Sequence, residues 1–150
     1  SIGGFVSAKS SIVEYIRHKA SAFIFTAALP PASVAGVIEG LHILANDTER
    51  RNRLYENTAY IKRAFFDMGI QVNNSQIPIV PIQIGDEALT LYMNRLLFDD
   101  GVFAGVAVSP VVPPSKAMIR TSYTCAHTRE DLDQVLNSFK KNLRQLGMLP

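Results

Sequence analysis

The sequence has 150 residues, 47% of them hydrophobic and 19% charged, which is enough for one typical soluble domain with a real core. Fifteen basic against thirteen acidic side chains leave a formal charge of +2, too small a surplus to imply a nucleic-acid or membrane partner. A single cysteine excludes an internal disulfide, and three histidines spaced far apart offer no metal-ligand pattern, so no metal is expected.

The chain opens on SIGGFVSAKS, with neither a methionine nor a leader, and Gly3 and Gly4 run into Phe5 and Val6 as a tight bend feeding a strand would. No apolar run reaches the length that spans a bilayer, and a cytoplasmic protein without an integral membrane segment is expected. SIVEYIRHKA then places Ile12, Val13, Ile16 and Ala20 on one helical stripe, with Ser11 and Glu14 spaced as a capping box. His18 on this helix reads as surface. The stretch FIFTAALPPASVAGVIEGLHILA passes through Pro30 and Pro31 to a second stripe of Val34, Val37, Ile38, Leu41 and Leu44. Proline is at home in the first turn, so this helix is predicted to begin near Pro31. Apolar nearly all round, it reads as buried on most sides, with Gly36 and Gly40 admitting another backbone and His42 as a satisfied core residue.

Near Asn46 the composition changes from almost uncharged to heavily charged, and a domain boundary is placed there, giving residues 1–45 and 46–150. Asn46 and Glu49 have the spacing of a cap, and Leu54, Ile61, Phe65 and Met68 follow at helical intervals up to a stop at Gly69. The basic run ERRNRLYENTAYIKR is mixed with acids and asparagines and reads as a solvated helix face. IPIVPIQI is a strand whose prolines place it at an edge or give it an irregular start. Asp86 caps a helix carrying Leu89, Tyr92, Met93 and Leu96, which Gly101 ends before the strand VFAGVAV. The loop SPVVPPSK, the strand AMIRTSYT and a last helix from Thr128 through Leu132, Val135, Leu136, Phe139 and Leu143 to Gly147 complete the chain. The fold class is therefore α/β, a small sheet covered by helices.

Three features rise above scaffold. Arg120 shares a strand face with Met118, Ser122 and Thr124, and its planar fork matches a carboxylate with two parallel hydrogen bonds; a structural salt bridge to a nearby acid is the other reading. Thr26 stands ahead of a proline-started helix, where a hydroxyl could serve a phosphate, or could satisfy its own backbone. Cys125 and His127 in CAHT invite a nucleophile-and-base pairing, but no third orienting group is named nearby, and a buried cysteine and a histidine near a helix start account for them.

In order along the chain, SIGGFV, FIFTAALPPASVAG and VVPPSKAMIRTSYTCAHTREDLDQVL resemble the C-terminal part of the α-oxoamine synthases, with IRTSYTCAHT the most specific stretch. These are pyridoxal-phosphate (PLP) enzymes of fold-type I. The resemblance implies that residues 1–45 end the large cofactor domain and that 46–150 form the C-terminal small domain. In the family a GG bend like Gly3 and Gly4 follows the lysine that binds the cofactor. On that resemblance the chain starts just after the lysine, holds no catalytic residue of its own and is inactive alone. Thr26 matches the position whose hydroxyl reaches the cofactor phosphate of the other subunit, and Arg120 the position that holds the amino-acid carboxylate. Some members carry a further arginine before the proline loop; AVSPVVPP has none. The implied activity is a Claisen-type condensation of an amino acid with an acyl-CoA in a homodimer with shared active sites, nearest the glycine C-acetyltransferase and serine palmitoyltransferase branches. The alternatives are a class I/II aminotransferase, or a non-catalytic accessory subunit that keeps the fold.

Overall fold

A computed structural model describes residues 3–73 and 75–149. Ser1 and Ile2, which open the first of the resembling segments, lie outside them. By its internal contacts the chain divides into two compact units, Ser1–Asp47 and Thr48–Pro150.

The first unit holds α1 (Ser10–Lys19), α2 (Ser21–Ile24) and α3 (Pro31–Asn46). Gly3 has a positive φ of 110° and its bare Cα is covered by the Leu29 side chain, but residues 3–9 form no turn or bend. The expected strand is absent as well: these residues are irregular, because a strand needs a hydrogen-bonding neighbour and the described part of this unit supplies none. α1 starts two residues earlier than its sequence suggests, behind Lys9, with no side-chain cap. That places Ser11 inside the helix, and Glu14 pairs with Arg17 at 3.1 Å instead of closing a capping box. α3 does begin at Pro31, but it is not buried. Val34, Val37, Ile38, Leu41 and Leu44 are all exposed, and none of the unit's described residues is buried. Three helices without a sheet behind them are too little to enclose a core. His42 is accordingly an exposed residue 3.7 Å from Glu39, not a core histidine. Asn46 ends α3, donating to the His42 carbonyl at 2.8 Å, and so cannot cap the helix that follows.

The second unit has a core. α4 (Thr48–Asp67) buries Thr58, Ile61 and Phe65 and leaves its arginines Arg51, Arg53 and Arg63 exposed. It is followed by β1 (Ile79–Gly85), α5 (Glu87–Asp99), β2 (Gly105–Ala107), β3 (Ala117–Ser122) and α6 (Arg129–Gln145). The sheet is antiparallel in the order β1-β3-β2, so the proline-bearing strand does lie at an edge, where a missing N–H costs no ladder bond. β2 is shorter than VFAGVAV suggests. Gly101, at φ 82°, turns the chain so that the Val102 N–H closes the end of α5 on the Leu97 carbonyl at 2.8 Å, which removes residue 102 from the strand.

Alternation gives the sheet two different faces. Val80, Ile82, Ile119 and Thr121 point inward to Met93 and Leu97 of α5 and to Leu132, Leu136, Phe139 and Leu143 of α6. Phe65 and Phe139 meet edge to face at 5.2 Å between ring centres. The Tyr60 hydroxyl donates to Asp133, and the Arg129 guanidinium lies 3.5 Å over the Tyr60 ring, which fastens α4 to α6. α6 starts at a complete capping box, with Thr128 and Asp131 bonding one another's backbone N–H groups. α5 is capped by Asp86, which accepts from the Leu89 N–H at 2.7 Å. The opposite sheet face carries Gln83, Arg120 and Ser122, all exposed, and the partly covered Met118.

Candidate substrate-binding site

Arg120 sits in the middle of β3, between the partly covered Met118 and the exposed Ser122 on the open face. The strand register decides what surrounds it: Pro81 of β1 lies across from it on one side and Gly105 of β2 on the other. Neither neighbour has a side-chain acceptor. Arg120 is exposed, and among the described residues no hydrogen bond or ion pair engages its guanidinium, so the structural salt bridge is not formed there. A side chain built on Gly105 would begin 3.7 Å from Arg120 Nε and 3.8 Å from one terminal nitrogen, which shows the guanidinium lying over bare β2 backbone. The result is a planar cation on an open surface with all its donors available to an anion.

In the first unit, Thr26 follows α2 and precedes Pro30, the N-cap of α3. Its hydroxyl is exposed and makes only a long 3.4 Å bond to the Ala27 carbonyl. The start of α3 has no side-chain cap. A weakly engaged hydroxyl near an uncapped helix start suits a phosphate oxygen, so the residue present fits the cofactor group the sequence implies.

The Cys125 and His127 pair is a turn and not a strand face. β3 ends at Ser122, two residues short of its predicted end. The His127 Nδ1 accepts the Thr124 N–H at 3.1 Å, leaving the ring proton on Nε2, and Asn57 Nδ2 donates to the Thr124 and His127 carbonyls at 3.1 and 3.0 Å. Among the described residues no bond joins the two side chains. The histidine holds the connection from β3 to α6, and Cys125 is a half-buried free thiol. Tyr123 beside them is buried, which pushes its phenol up to about 12 against a smaller opposing effect of the Thr121 hydroxyl.

Residues the sequence reading did not single out include Lys62, whose ammonium donates to Asn73 Oδ1 at 3.1 Å and to the Ser75 carbonyl, beside a groove of about 930 Å³ along α4. Burial lowers its pKa, and its bonds tie Asn73 and Ser75 to α4. Gly105 was also unmarked. Its place opposite Arg120 is set by strand pairing, which has no local signal. Among the described residues no group of His, Cys, Asp and Glu could hold a metal ion, and no helix is long and apolar enough to cross a membrane.

An arginine that no described residue engages, on the open face of a helix-backed antiparallel sheet, is free to take an anionic group. The chain belongs to the aminotransferase class I and II family, whose model matches residues 1–139. Within that family its relatives are α-oxoamine synthases. It is 40% identical over 148 residues to 8-amino-7-oxononanoate synthase of Thermoanaerobacter pseudethanolicus, covering 99% of this chain and 38% of that protein. It is 36% identical over 149 residues to serine palmitoyltransferase of Bacteroides thetaiotaomicron, with the same coverage of 99% and 38%. A solved serine palmitoyltransferase structure containing PLP superposes with a TM-score of 0.83 at 26% identity, over 95% of this chain and 36% of that one. The chain therefore spans about 38% of the length of the curated relatives it matches.

Proposed function

We propose that this chain is the C-terminal part of a PLP-dependent acyl-CoA:amino acid C-acyltransferase, acting as a cytoplasmic homodimer whose active sites draw on both subunits. In this reading residues 1–45 end the large cofactor domain and residues 46–150 form the small domain; the change of compact unit between Asp47 and Thr48 supports it. The lone cysteine suits a reducing compartment. The observation that carries the reading is Arg120: an exposed guanidinium that no described residue engages, inside the segment that resembles the family's carboxylate-binding motif.

When bound, PLP supplies the electron sink that makes a carbanion at the amino-acid Cα accessible. Arg120 grips the substrate carboxylate with two parallel charge-assisted bonds and so fixes the torsion about Cα, which decides which Cα bond is aligned to break. Thr26 donates its hydroxyl to the phosphate of the cofactor held by the partner subunit, which anchors that group without taking part in bond making. Neither residue moves a proton. The lysine and the proton-transfer groups come from outside these 150 residues, so the chain alone is inactive.

The test is substrate consumption by the full-length protein. Loss of acyl-CoA thioester that depends on an amino acid supports the acyltransferase. Consumption of an oxoacid instead of the thioester identifies an aminotransferase, and no turnover with either points to the accessory subunit.

A further inference from the structure

We propose that Gly105 is a positioning residue for Arg120, and through it for the amino-acid carboxylate; the inference rests on the role just given to Arg120. β2 and β3 are antiparallel and pair Gly105 directly with Arg120, so any side chain at 105 would rise on the same face, beside the guanidinium. The first carbon of such a side chain would lie 3.7 Å from Nε and 3.8 Å from a terminal nitrogen of Arg120, and 3.5 Å from its carbonyl oxygen. Those are ordinary contact distances, so one carbon fits. The further carbons of a β-branched residue point into the space the guanidinium fills, and the fork must lift off the sheet to admit them.

The fold itself gives no reason for a glycine here. Gly105 is not among the residues with positive φ, so its backbone is one that any residue adopts. Within a strand a glycine weakens pairing and leaves a gap on the surface, which makes it a mark of close approach by another group. The group that approaches is Arg120. On the other side of β3 the strand partner of residue 120 is Pro81, whose side chain has no acceptor, and among the described residues nothing bonds the guanidinium. The direction of the fork is thus set by shape, by the open space over Gly105, and not by a hydrogen-bonded partner. A carboxylate that must meet two donors in one plane depends on that direction.

The experiment compares Gly105→Ala, Gly105→Val, Arg120→Lys and the Gly105→Val/Arg120→Lys double variant in the full-length enzyme. It reads the amino-acid dissociation constant from the cofactor absorbance, alongside acyl-CoA affinity and a melting curve. Gly105→Val should weaken the amino acid roughly tenfold and Gly105→Ala by less, with acyl-CoA affinity unchanged and melting no lower. In the Arg120→Lys background the valine should add little. If Gly105→Val leaves amino-acid affinity unchanged while Arg120→Lys weakens it, the proposal is overturned and the carboxylate role of Arg120 stands. An equal effect of valine in both backgrounds also overturns it, since residue 105 then acts other than through Arg120. No effect of Arg120→Lys removes the carboxylate role, and the proposal with it. Gly105→Thr, with the same branching, repeats the comparison if the valine variant does not fold.

Discussion

The carboxylate of Asp100, at the end of α5, lies 2.6 Å from the ammonium of Lys141 on α6. Its other oxygen accepts from Ser138 Oγ and Asn142 Nδ2, both at 2.8 Å, so one acid ties two helices together. The Lys141 bond first, then those from Ser138 and Asn142, hold its pKa down from 3.8 to about 2. A depressed carboxylate stabilises the fold fully above its unfolded value, and that contribution disappears as pH falls through the folded one. Melting temperature should therefore decline as pH drops from about 4 to about 2. Asp100→Asn should lower it at neutral pH, with the gap to the unsubstituted protein closing near the acid end. A gap that stays constant across the range would show that Asp100 does not carry this dependence.

Phe139 is fully buried against Phe65, whereas Phe103 is 89% exposed. Phe139→Ala should cost about 3–5 kcal/mol in urea unfolding, and Phe103→Ala should stay within about 0.5 kcal/mol. Comparable shifts in the two midpoints would contradict the packing described above.

Arg120→Lys keeps the charge but removes the flat two-pronged donor. The loss of one charge-assisted bond is on the order of 1.5–3 kcal/mol, or roughly ten- to a hundredfold in amino-acid affinity. Melting temperature should hardly change, because no described residue leans on this guanidinium. Unchanged affinity with a lower melting temperature would make Arg120 scaffold.

Thr26→Ala should weaken cofactor retention roughly ten- to a hundredfold in the full-length enzyme, and Thr26→Ser should recover most of it. Mixing Thr26→Ala subunits with subunits lacking the cofactor lysine should produce hybrid sites whose activity differs from the average of the two homodimers. An activity equal to that average would exclude sharing across the interface.

The 150-residue chain by itself, incubated with PLP and then borohydride, should form no adduct on a single defined lysine and show no turnover. Stoichiometric labelling of one residue such as Lys9, with activity, would place the reactive amine inside this segment.

Local sequence was enough for the boundaries of most elements and for the residue types available to the site. Pro31 started α3, Thr128 with Asp131 started α6, and Gly69 and Gly101 ended their helices, because each depends on φ, a missing N–H or a side chain within a few residues. Alternation likewise put Arg120 on one face with Met118 and Ser122. Where apolar pattern stood in for burial the reading failed. The α3 stripe and His42 are exposed, because burial depends on what packs against a helix, and among the described residues of the first unit none is buried. The predicted strand at Phe5 and Val6 failed for the same reason, since a strand exists only with a partner. Strand pairing across the sheet sets Arg120 between Pro81 and Gly105, with no acid among the described residues paired to it. Folding likewise brings Asp100 to Lys141 and commits the His127 ring to the Thr124 N–H. Strand register and helix docking bring together residues far apart in the chain, and the packing energy that fixes them is a sum over the whole core, with no trace in any short stretch of sequence.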